Sequence, residues 1–140
     1  MCVRGDIAAA DWVWFYTRGI AKEWSGNWDA SEADFRKALE LNPGQPNVLN
    51  YLGYSWIDRG ENLDKARDMV ARAVELRPPD GFITDSLGWA DYRAGDFDAA
   101  VATLERAIAL QPVDPVINDH LGDSDWQVAR SRDASVQCSA

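Results

Sequence analysis

A spacing of 34 to 35 residues runs through this chain of 140 and limits what it can fold into more than any other feature. Three tripeptides carry it: Leu41-Asn42-Pro43, Leu76-Arg77-Pro78 and Leu110-Gln111-Pro112, with prolines 35 and 34 residues apart. Arg18-Gly19, Leu52-Gly53, Leu87-Gly88 and Leu121-Gly122 run in phase with them. So do Gly26, Gly60 and Gly95, and Ala38, Ala73 and Ala107. Four series with one spacing describe a repeated supersecondary unit, which buries its apolar face only by stacking on its neighbours. The phases set units at 12–45, 46–80, 81–114 and an incomplete 115–140, with 1–11 as an N-terminal extension.

Within each unit a helical period occurs twice. In the third, Phe82, Asp85, Ser86, Trp89 and Tyr92-Arg93 share one side at i, i+3, i+4, i+7 spacing. Gly95-Asp96 closes that helix, and a second begins near Asp98 with Ala100, Leu104, Ala107 and Ile108 as its inner stripe. Pro112 ends it, because proline cannot continue the hydrogen-bond ladder and restrains the residue before it. The unit is therefore helix, tight turn, helix and a short proline-bearing link. The second unit places its extra residue between Gly60 and Ala66, in the turn, where an insertion costs least. An interior glycine costs a helix about 1 kcal/mol against alanine. Gly19, Gly53, Gly88 and Gly122 thus imply a close approach of the paired helix. Ser31, Ala66 and Ala100 are the small residues expected opposite, with Phe35, Val70 and Leu104 in the adjoining larger position.

These residues resemble the tetratricopeptide repeat, whose unit reads W-x2-L-G-x2-Y, then a small residue, an aromatic, an alanine and a closing proline. The resemblance covers 12 to about 130. Asn50-Tyr51-Leu52-Gly53-Tyr54-Ser55-Trp56 and Asp85-Ser86-Leu87-Gly88-Trp89-Ala90 are especially similar to bacterial members. Phe15, Leu49, Thr84 and Asn118 stand where tryptophan is commonest, and Asp91 and Asp125 replace the usual tyrosine. The resemblance implies an all-α fold, a right-handed superhelical solenoid of stacked antiparallel helix pairs with about seven helices. In the fourth unit the first helix runs from Pro115 to about Ala129. The remainder, to Ala140, keeps only Ala134 of the pattern and reads as a frayed tail or a stub of the partner helix. Ser124 and Asp125 suit a polar end cap, whereas Trp126 and Val128 favour an end-to-end contact.

Composition and motifs exclude several function classes. With 14 Lys plus Arg against 23 Asp plus Glu, the net charge is −9. Binders of nucleic acid and of anionic membrane surfaces need clustered cations instead. No run reaches the roughly 18 to 20 uncharged residues of a membrane span, and no secretory signal is written at the start. The compartment stays open between the cytoplasm and, for a piece of an exported protein, the periplasm. Cys2 and Cys138 form no Cys-x-x-Cys or Cys/His cluster, so no zinc or redox site is expected, and a disulfide would need Cα atoms within about 7 Å. His120, the only histidine, has no ligating or catalytic partner in phase and is expected near a helix surface. Asp119, Asp123 and Asp125 lie on a helix rather than in a calcium loop and read as a solvated acidic face. Neither a nucleophile elbow nor a glycine-rich phosphate loop occurs. The chain is expected to be no enzyme and to need no cofactor or metal.

What such an array builds is a concave surface lined by the first helices of its units. The resemblance assigns to that groove Tyr16, Asn50, Tyr54, Asp58, Phe82, Asp85, Trp89, Tyr92, Asp119 and Trp126. It also places Val13, Trp24, Asn47, Val116, Glu23 and Arg93 on the same face. Of the seven tryptophans, Trp12, Trp14, Trp28 and Trp56 are expected in the core and Trp89 in the groove. Aromatics offer contact area at little rotamer cost, and Asn can bond an extended backbone. Relatives that grip an acidic C-terminus use groove Lys, Arg and Asn; here Asn47, Asn50 and Arg93 stand beside Asp58 and Asp85. The expected function is a protein-protein interaction module, an adaptor receiving a basic or neutral peptide with apolar anchors. The alternatives are a self-associating scaffold joined through the open fourth unit, or a piece of a larger multi-domain protein.

Overall fold

The computed structural model describes residues 7–139, with side chains to Ala134. A single 3-10 turn, Ala9–Asp11, leads into seven α-helices: α1 (Trp12–Trp24), α2 (Trp28–Leu41), α3 (Pro46–Arg59), α4 (Leu63–Leu76), α5 (Gly81–Arg93), α6 (Phe97–Leu110) and α7 (Pro115–Ser139). No strand occurs among the described residues. α1 packs on α2, α3 on α4 and α5 on α6; the pairs then stack, with α3 against α5 and α5 against α7.

The periodic residues explain the geometry. Each second helix is capped at its start or entered through a left-handed residue. Asn27 and Asp96 accept from the backbone N–H groups of Ala30 and Ala99 at 3.4 and 3.3 Å. The first helices use Gln45 and Asp80 in the same way, at 2.6 and 3.0 Å. Gly26, Gly60 and Gly95 have φ of 85, 73 and 83°, the left-handed turn that reverses the chain. The extra residue of the second unit does lie in that turn, where Asn62 takes φ 46°.

The interior glycines mark close approach in three units out of four. A Cβ on Gly88 would sit 2.5 Å from Leu104 Cγ; on Gly53 it would lie 2.8 Å from Val70 Cγ1, and on Gly19 2.8 Å from Phe35 Cε1. The larger residues of the second helices therefore fill the space the glycines leave, and Ser31 adds a hydrogen bond from Oγ to the Gly19 carbonyl at 2.7 Å. Around Gly122 nothing lies within 4 Å. There the expected partner helix is missing from its place, because the segment after Ala129 neither frays nor folds back. It continues α7 to Ser139.

The core holds Trp28, Phe35, Leu52, Trp56, Ile57, Ala66 and Val70. Trp28 and Trp56 are buried as expected. Trp12 is half-buried against Tyr16, while Trp14 is 57% exposed beneath the Arg18 guanidinium, 4.2 Å from its ring centre. The expectation of a core Trp14 fails because its side of α1 has no neighbouring helix among the described residues. Two ion pairs, each joining a buried carboxylate to a half-exposed arginine, add to these contacts. Asp34 binds Arg18 at 2.6 Å and Lys22 at 3.0 Å, and the Arg18 hydrogen bond is the main cause holding its carboxyl below the usual range. Asp91, in a slot where the repeat usually has tyrosine, is buried and accepts from Arg67 of α4 at 2.7 Å. Cys2 and the Cys138 side chain lie outside the described residues.

Candidate functional site

α1, α3, α5 and α7 each send residues to one recess of about 300 Å³, lined by Glu23, Asn50, Tyr51, Tyr54, Ser55, Phe82, Asp85, Ser86 and Val116. Helical spacing places them there. Asn50, Tyr51, Tyr54 and Ser55 stand at i, i+1, i+4 and i+5 on α3, and Phe82, Asp85 and Ser86 at i, i+3 and i+4 on α5. The two groups face each other where α3 and α5 pack.

Two lining residues are acids and none is Lys, Arg or His. Glu23 Oε1 accepts from Ser55 Oγ at 3.2 Å, while Oε2 is buried with no partner among the described residues. Asn50 Oδ1 is likewise buried and unpartnered. The serine hydroxyls are spent elsewhere: Ser55 on Glu23, Ser86 on the Phe82 carbonyl at 3.2 Å. Burial and the nearby carboxylates of Asp58 and Asp85 push the Tyr54 phenol up to about 12. Burial first and Glu23 second raise Tyr51. The recess is apolar-walled and negative, with acceptors waiting for donors.

Beside it stands an aromatic stack. Trp89 lies between Tyr92 and His120, at ring-centre distances of 4.6 and 4.0 Å and nearly parallel to both. His120 Nδ1 is 2.8 Å from Asp85 Oδ1. His120 is only 8% exposed, which corrects the expectation of a histidine near a helix surface: it is the buried bolt between α7 and α5. Asp85 is buried too, and Ser124, expected on a polar end cap, is fully buried with its hydroxyl on the His120 carbonyl.

Of the ten residues assigned to the groove from sequence, Asn50, Tyr54, Phe82 and Asp85 share the recess. Tyr16 packs instead on Phe35 and Tyr51, at 6.1 and 6.0 Å. Trp89 and Tyr92 belong to the stack. Asp58 and Asp119 are exposed and do not line the recess, and Trp126 is exposed to 64%. Tyr51, Ser55 and Ser86 line it without having been assigned to the concave face. They sit one position after groove residues, and the recess lies between adjacent helices, so side chains leaning sideways enter it as well. The pattern of one unit could not show this; the stacking of two does.

No group of three His, Cys, Asp or Glu side chains able to hold a metal ion occurs among the described residues. Nor is any helix there long and apolar enough to cross a membrane.

A stack of helix hairpins whose first helices build a concave recess defines an α-solenoid of short helical repeats. The sequence profile of the tetratricopeptide repeat matches residues 16–81 and 86–124, and the chain belongs to that family. It is similar to the TPR repeat-containing protein PA4667 of Pseudomonas aeruginosa, with 36% identity over 80 residues, 57% of this chain. That match spans 14% of the relative's length. Among solved structures, the first TPR of Spaghetti (RPAP3) bound to the HSP90 peptide SRMEEVD superposes with a TM-score of 0.79 at 15% identity, covering 90% of this chain and 99% of that one. The Sgt2 TPR domain from Aspergillus fumigatus gives 0.80 at 16% identity, covering 94% and 87%.

Proposed function

We propose that this chain is a non-catalytic interaction module that receives an extended peptide segment of a partner protein in its concave face. The observation that carries the reading is the single recess to which four repeats contribute, aromatic on its walls and lined with acceptors. The Spaghetti repeat domain, of like fold, holds an HSP90 peptide rich in acids, SRMEEVD. In this chain the recess has two carboxylates and no cation, so a basic or neutral segment with apolar anchors fits it better.

The test is retention of a partner from the source organism's lysate by the wild type and by a Tyr54→Ala, Phe82→Ala variant. Tyr54 and Phe82 face the recess and are only partly buried, whereas Trp89 is part of the stack that seats α7 and would confound the result. Recovery by the wild type alone, with unchanged helicity in the variant, supports the groove. Equal recovery by both contradicts it.

A second reading, self-association, rests on exposed apolar side chains at the two ends: Trp14 and Trp24 on α1, Val113 and Trp126 around α7. Sedimentation across a wide concentration range separates the two. Mass that climbs with concentration favours the scaffold, and a constant monomer removes it.

A further inference from the structure

The recess has one chemical demand that the chain itself leaves unmet. We infer that it is a subsite for one lysine or arginine side chain of the bound segment, with Glu23 as its counter-ion and Asn50 Oδ1 as a second acceptor. The inference rests on the groove reading above and adds the identity of the anchoring side chain.

Three observations converge. First, Glu23 Oε2 and Asn50 Oδ1 are buried with no donor among the described residues. A buried acceptor without a donor carries its full desolvation cost, more when charged, and a ligand donor recovers it. Of the two carboxylates, Asp85 already has His120 at 2.8 Å, whereas Glu23 accepts from the Ser55 hydroxyl, lies beside the Tyr51 phenol and has no cationic partner among the described residues. Second, the walls are Tyr51, Tyr54 and Phe82, rings whose faces attract a cation. Third, about 300 Å³ lies at the bottom of the range for small-ligand pockets, roughly 300 to 1,000 Å³, which suits a side chain rather than a folded element. An alkyl stem between the rings and an ammonium or guanidinium at its end match both parts of the lining. An apolar residue would leave both acceptors stranded, and an acid would add a third carboxylate to the two present.

The experiment uses a display library of random 12-residue peptides selected on the full chain. Selected peptides are expected to share one Lys or Arg at a fixed distance from apolar residues. Replacing that cation by Met should weaken binding to the wild type at least 10-fold, but less than 3-fold to Glu23→Gln, whose Oε1 still accepts from Ser55. Peptides sensitive to Phe82→Ala but without a shared cation would overturn the inference and leave the groove reading standing. So would an equal Met penalty in the wild type and Glu23→Gln. Peptides indifferent to Phe82→Ala, or no selected peptide at all, would overturn both.

Discussion

At the scale of single residues, glycine separates two environments that look identical in sequence. Gly88 and Gly122 occupy the same slot, 34 residues apart. An added methyl at Gly88 meets Leu104 at 2.5 Å, while at Gly122 it meets nothing. Gly88→Ala is therefore expected to destabilise the chain by about 1–3 kcal/mol, overpacking outweighing the gain in helix propensity. Gly122→Ala is expected to stabilise by up to about 1 kcal/mol. Urea unfolding of both variants checks the signs, and equal effects would contradict the packing described here. Asp34 gives a pH-dependent counterpart. Its carboxyl is held low chiefly by the Arg18 hydrogen bond, so it binds a proton less readily folded than unfolded. Its contribution is complete above the ordinary carboxylate value near 4 and fades as pH falls toward the lowered one. Asp34→Asn is expected to cost about 1 kcal/mol at neutral pH, toward the low end because Arg18 is 41% exposed. That deficit should shrink below pH about 4 in thermal melts taken across the acid range; a deficit independent of pH would contradict the assignment.

At the scale of elements, α7 is the helix whose place sequence described least well. Its start at Pro115 and its phase were legible, because Leu121-Gly122 continues the period. Its continuation to Ser139 was not. The repeat pattern prescribes a turn and a returning helix after Ala129, yet the glycine that ends each complete first helix has no counterpart there. Without a left-handed residue to reverse the chain, propagation of the existing helix is the simpler outcome. The means by which α7 is held was also hidden, since Asp85 and His120 are 35 residues apart and meet only once α5 and α7 stack. His120→Ala would remove the ring stacked on Trp89 and leave the buried Asp85 carboxylate without its donor. In an array coupled by nearest neighbours the loss should stay local. Hydrogen exchange is expected to accelerate along α7 while α1–α4 keep their protection. Uniform acceleration would mean that α7 is not separately anchored.

For the whole molecule, the all-α repeat architecture was readable from spacing because each of the three complete units repeats the same turn glycine, close-contact glycine and closing proline. The recess was only partly readable. Glu23, Asn50, Tyr54, Phe82, Asp85 and Val116 followed from the slot pattern, but Tyr51, Ser55 and Ser86 depend on how far neighbouring units rotate, and no single unit encodes that. Net charge acts at this scale too. At −9, the chain attracts cationic segments over about one Debye length, roughly 10 Å at 0.1 M salt. Binding of a lysine-bearing library peptide should therefore weaken as NaCl rises from about 0.05 to 0.5 M, mainly through slower association. Affinity unaffected by salt would contradict an electrostatic contribution. The most direct test of the concave face as the binding surface is hydrogen exchange of the full chain with and without such a peptide. New protection is expected in α3 and α5, around Asn50–Ser55 and Phe82–Ser86, with α2, α4 and α6 unchanged. Protection confined to those second helices would contradict a concave binding surface.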